Sequence, residues 1–141
     1  MSFLIDTNVI SEAAKPRPNT KVMAFLHETD EDSLFISVIT LGELRRGVAL
    51  KPDGRAKSVL EAWLRHDLVE RFSSRIIDIT APVADIWGEL MAEAKRRGIG
   101  LHVIDGLLAA TARAHNQILV TRNVKDFEAF GLPLLNPWNA A

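Results

Sequence analysis

Short apolar runs alternating with helical stretches limit what this chain can fold into. Phe3, Leu4 and Ile5 open the series, and residues 34–38, 76–79 and 118–120 continue it. Strands covered on both faces read as such continuous apolar runs, not as an apolar–polar alternation. Helices lie between them, and a strand–helix–strand crossover within one sheet makes its strands parallel. The pattern predicts an α/β fold: one domain over residues 1–141, a short parallel β-sheet with helices on both faces. Leu134 and Leu135 can add an edge strand.

The helices carry their own punctuation. Asn19 is placed to cap a helix whose apolar side is Val22, Met23, Phe25 and Leu26. A third helix covers residues 41–50, and a longer one runs on to about residue 72. Thr80 caps the next helix, with Pro82 in its first turn. Lys95, Arg96 and Arg97 complement the end of its dipole before Gly98 stops it. The last helix spans residues 103–115. Its middle is small or apolar nearly all the way round, so it should be packed on most sides. Asp105 nevertheless stands in its first turn.

Composition narrows the chemistry. Seventeen basic residues against eighteen acidic ones leave a formal net charge of -1, so charge gives no argument for nucleic acid. The absence of cysteine excludes disulfides and thiolate metal sites and suits the reducing cytoplasm, the expected location. The first apolar run is too short for a signal peptide. No segment approaches the ~20 apolar residues of a membrane span, so no membrane partner is expected. A strained serine elbow and a phosphate-cradling glycine loop are both missing.

Three carboxylates stand out, each with an ordinary explanation. Asp6 could turn the chain and start a helix. Glu43 follows Thr40 by three residues, the spacing of a capping box. Asp105 could complement its helix N-terminus. Together they read differently. Asp6 ends strand one, and Glu43 lies near the start of the helix leaving strand two. Asp105 begins the helix that feeds strand four, and Thr121 and Asn123 leave strand four. Parallel strands put all of these at one rim, where open α/β sheets build their sites. Packed carboxylates repel unless a cation joins them. A hard divalent ion, Mg²⁺ or Mn²⁺, takes oxygen ligands and needs few carboxylates. The four histidines show no zinc-ligand spacing. Arg122 and Lys125 flank Asn123 and are the best placed phosphate contacts. Asp126 reads as the cap of a short turn ending at Gly131, His102 as a loop residue and His115 as a helix C-terminal one.

With these residues assembled, the chain resembles the PIN-domain nucleases, specifically the VapC-type toxins of bacterial toxin–antitoxin pairs and their FitB-like branch. The resemblance rests on FLIDTNVISE, SVITLGELRRGV, VIDGLLAATARAHNQILVTRNVKDFE and LPLLNPW, which cover the chain nearly end to end. It implies a single PIN-like domain and a metal-dependent endoribonuclease that hydrolyses RNA phosphodiester bonds with metal-activated water. The implied catalytic set is Asp6, Glu43, Asp105 and Asn123, with Mg²⁺ (or Mn²⁺ in its place) on Asp6, Glu43 and Asp105. Asn123 falls where the family often has aspartate. Thr7 and Thr121 would order the site, and Arg122 and Lys125 would meet substrate. The implied partners are a VapB-like antitoxin, a second copy of the chain, RNA, and operator DNA reached through the antitoxin. The alternative is a non-catalytic PIN-like subunit that serves only as an antitoxin and DNA-complex partner. Phosphatase and receiver readings fit less well: Asn8 stands where the phosphatase needs a second aspartate.

Overall fold

A computed structural model describes residues 1–139. The last two residues of the expected 1–141 domain lie outside the described residues. Five parallel strands form one sheet in the order β3-β2-β1-β4-β5, from β1 (Phe3–Ile5), β2 (Leu34–Ser37), β3 (Ile76–Ile77), β4 (Ile118–Val120) and β5 (Leu134–Leu135). Central β1 pairs Phe3 with both Leu34 and Ile118. The edge strand expected at Leu134 and Leu135 forms, parallel to β4.

The helices are α1 (Thr7–Ala13), α2 (Thr20–Glu28), α3 (Val38–Ala49), α4 (Arg55–Ala62), α5 (Val69–Arg71), α6 (Ala81–Arg96) and α7 (Val103–Ala114). A π-helical stretch, Trp63–Leu68, joins α4 to α5 where one long helix is expected. Asn19 caps α2 by accepting from the backbone N–H groups of Lys21 and Val22. Thr80 caps α6 in the same way through Val83 N–H. Gly98 (φ 67°) sits in the left-handed conformation just past α6, as its place in the sequence predicts.

The sheet divides the core. One face packs α1–α5 around Val9, Ile10, Leu64, Leu68 and Phe72. The other packs α6 and α7 around Val83, Leu90, Leu108, Ala109 and Ala112. The two-residue β3 needs outside support, which Arg75 supplies. Its guanidinium donates to the carbonyls of Glu31 and Leu34 and to the Glu31 carboxylate, at 2.6–2.8 Å. Arg71 donates twice to the same carboxylate. These bonds, Arg71 foremost, hold the Glu31 carboxyl down at about 2.

Candidate active site

The rim at the C-terminal ends of β1 and β4 is built around Asp6. Its backbone N–H continues the ladder to the Val120 carbonyl (2.9 Å), and its carboxylate caps α1 by accepting from Thr7 N–H (2.7 Å). The other carboxylate oxygen accepts from the Thr121 hydroxyl at 2.8 Å. Thr121 is fully buried and can give only one proton, so it accepts on its lone pairs, from Asn123 N–H (3.0 Å) and the Asn8 amide (3.4 Å). Asn8 also donates to Asp6 and accepts from Arg122 N–H. These bonds tie β1, α1 and the segment after β4 into one unit.

Asp6 is 6% exposed, and no lysine or arginine side chain bonds its carboxylate among the described residues. Burial pushes its carboxyl up to about 6. The bonds from Thr121 and Thr7 act in the opposite direction, and the charges of Glu43 and Asp105 add to the rise. The Asp105 carboxyl is raised as well, first by burial and then by the charges of Asp126 and Glu43, against a lowering by His102. The carboxylates of Asp6, Glu43, Asp105 and Asp126 thus share one field.

Glu43 lies in the second turn of α3 and is half-buried. The Thr7 hydroxyl donates to its carboxylate and lies 3.3 Å from the buried Thr40 hydroxyl, which is free to donate to Thr7 in turn. The capping-box reading of Thr40 and Glu43 fails because α3 starts earlier. Ser37 is its N-cap, accepting from Ile39 N–H (3.0 Å). Thr40 therefore supports the site through Thr7.

One more placement differs from expectation. Asp126 ends the short 3₁₀ turn Val124–Asp126 and caps nothing; its charge helps raise the Asp105 carboxyl. His102 lies in the loop before α7, as expected, and caps that helix, its Nδ1 accepting from Ile104 N–H at 3.3 Å. His115 is the C-cap of α7, as expected. Asn123 and Lys125 are exposed, before and within this turn, and the Arg122 guanidinium carbon lies over the Trp138 ring. Asn8, Thr40 and Asp126 are the site residues that sequence reasoning missed. Only Asn8 had a signal, its place two residues after Asp6 at a strand end.

Every ligand type present is a hard oxygen, which suits Mg²⁺ or Mn²⁺. The side chains are not drawn onto one point: among the described residues no three histidine, aspartate or glutamate groups close on a common centre. Glu43 is turned to Thr7 instead. The unpaired, buried charge of Asp6 is the feature that fits a cation.

From this rim a groove of about 890 Å³ runs between α1, α3 and α4, lined by Thr7 and Glu43 at one end and by Val59, Leu60 and Trp63 further on. No described helix is long and apolar enough to cross a membrane.

A parallel three-layer α/β domain with hydroxyl-supported carboxylates at its strand ends is the class that fold and site define. The sequence model of the PIN domain matches residues 3–131, and the chain belongs to that family. It is 39% identical to toxin FitB of Neisseria gonorrhoeae over 97% of this chain and 99% of that protein. It is 36% identical to VapC ribonuclease Y4jK of Sinorhizobium fredii, over 99% of each. The crystal structure of FitAcB from Neisseria gonorrhoeae superposes with a TM-score of 0.93 at 38% identity, over 98% of this chain and 99% of that one. A structure of FitAB bound to an IR36 DNA fragment gives the same TM-score at 37% identity, over 99% and 97%.

Proposed function

We propose that this chain is the toxin of a bacterial toxin–antitoxin pair and acts in the cytoplasm as a divalent-metal-dependent endoribonuclease. The observation that carries this reading is buried Asp6, held by Thr7, Asn8 and Thr121 in the field of Glu43 and Asp105, in a chain 36% identical end to end to a VapC ribonuclease. Asp6, Glu43 and Asp105 would hold Mg²⁺ or Mn²⁺, with Asp126 adding charge and Asn123 a neutral oxygen. When bound, the ion supplies a Lewis acid that activates water and offsets charge on the phosphate.

The chain's own residues do the rest. Thr121 and Thr7 fix the two oxygens of Asp6, so its carboxylate is presented in one orientation. Thr7 also holds Glu43, and Thr40 holds Thr7. Arg122 and Lys125 stand where an RNA backbone would need cations against four carboxylates.

The apolar groove that opens at Glu43 would take a segment of a VapB-like antitoxin, covering the acidic rim. Solved relatives include a FitAB complex on DNA, and operator DNA would reach this chain through the antitoxin. A homodimer is the expected assembly.

Cleavage of structured RNAs by antitoxin-free protein tests the activity, with Mg²⁺, with Mn²⁺ and with chelator. Metal-dependent cleavage should vanish in Asp105→Asn while Mg²⁺ still raises the unfolding temperature of the wild type. Cleavage that persists unchanged in the variant would place the site elsewhere. No cleavage and no metal binding would leave the non-catalytic antitoxin partner as the better reading.

A further inference from the structure

The segment after β5 reaches the loop that leaves β4. The Arg122 guanidinium carbon lies 4.9 Å from the centre of the Trp138 ring. Both ends of that contact are tied. Arg122 N–H donates to Asn8, which itself bonds Asp6 and Thr121. The Arg122 carbonyl accepts from the Asn136 amide at 3.5 Å, and the Asn136 side-chain oxygen accepts from Trp138 N–H at 2.9 Å. Trp138 packs half-buried on the α1–α5 face of the core. Arg122 makes no ion pair among the described residues.

A guanidinium is planar, with its donors in the edge of the plane. An indole beneath it covers a face, restricts its rotamers and leaves the donor edge free. Carboxylates crowd the neighbouring rim, so a polyanion approaching it needs a fixed cation at the flank. Lys15 is engaged with Glu12 at 2.9 Å, and no bond fixes exposed Lys125 among the described residues. Arg122 is the cation held in place.

We propose that Arg122, laid on Trp138, docks a backbone phosphate of RNA flanking the scissile bond, and that Trp138 is its positioning residue. The assignment deepens the ribonuclease reading and rests on it for the identity of the polyanion. Trp138 acts by orienting Arg122 and touches no reacting atom.

The test is anisotropy of a labelled short single-stranded RNA of mixed sequence with full-length, antitoxin-free protein in chelator, over a range of salt. Arg122→Ala should weaken binding about tenfold, the scale of a hydrogen bond to a charged group. It should also reduce the logarithmic salt slope by about one. Arg122→Lys should restore the slope but not the full affinity, because lysine lacks the fork. Trp138→Ala should weaken binding severalfold in the wild type and not at all in Arg122→Ala, and Trp138→Phe should recover most of the loss. Arg96→Ala, at the far end of α6, is the control cation. Thermal unfolding of each variant separates these effects from loss of fold.

Equal affinity and slope in wild type and Arg122→Ala would overturn the proposal, as would an undiminished Trp138→Ala effect in the Arg122→Ala background. Metal-dependent cleavage by the same wild-type preparation keeps the two readings apart. Cleavage without an Arg122 effect defeats only the docking claim. An Arg122-dependent affinity with neither cleavage nor metal binding supports phosphate docking at Arg122 and defeats the ribonuclease reading.

Discussion

The two faces of the sheet are finished to different standards. On the α6–α7 side, helix meets helix so closely that a Cβ placed on Gly106 would fall 2.7 Å from Met91 Sδ and 3.2 Å from the Trp87 ring. Leu108, Ala109, Ala110 and Ala112 of α7 are buried to 1% exposure or less. On the other side, α4 contributes no fully buried residue, and Val59 there stands 58% exposed along the groove. Both faces carry a buried core, and the loose packing is confined to α4. The α4 side, whose groove opens at Glu43 on the acidic rim, leaves apolar area exposed.

The largest effect that would sharpen this contrast is on the packed side. Leu108→Ala should cost about 2–5 kcal/mol in urea unfolding, the range for truncating a buried leucine. A loss below the low end would mean that α7 relaxes into the space and that the face is less rigid than its contacts imply.

The rim between the faces works against stability. The folded protein holds the Asp6 proton more tightly than the unfolded chain, since the carboxyl is raised from 3.8 to about 6. The Asp6 contribution to stability is therefore fully present below about pH 4 and is lost as pH rises through about 6, by up to about 3 kcal/mol. Urea midpoints from pH 4 to 8 in chelator should show that fall in the wild type and a flatter profile in Asp6→Asn. Parallel profiles would show that burial does not penalise the ionised carboxylate.

Gly106→Val tests the close approach of the two helices and should destabilise by about 1–3 kcal/mol, as overpacking does. A neutral result would mean that Met91 and Trp87 move aside freely. The smallest effect on stability belongs to the open side. Val59→Ser should change unfolding by no more than about 0.5 kcal/mol, yet weaken capture of the antitoxin in a pull-down with the co-expressed pair. An antitoxin that still binds Val59→Ser as tightly would remove the groove as its seat.

Much of this could be read in advance, and the reasons are local. Strand runs such as residues 3–5 and 118–120 are buried on both faces, so their hydrophobicity is continuous and unambiguous. Asn19, Thr80 and Gly98 announce helix ends by chemistry confined to a few residues. Asp6 and Asp105 stood out because a charge sat where burial begins. Thr40 misled because its spacing to Glu43 copies a cap, and only the earlier start of α3 at Ser37 reveals its other role. Asp126 was hidden because its nearness in charge to Asp105, 21 residues earlier, leaves no local pattern. The Arg75 clamp on Glu31 spans 44 residues of chain and leaves no local pattern at all.

The cap that Asp6 forms on α1 has a consequence for how such a gene can decay. Asparagine caps a helix as well as aspartate does. One substitution at that position would remove the charge while leaving the helix start intact. The product would be a folded, silent decoy, still able to occupy an antitoxin and so to alter the balance between the active toxin and its antidote.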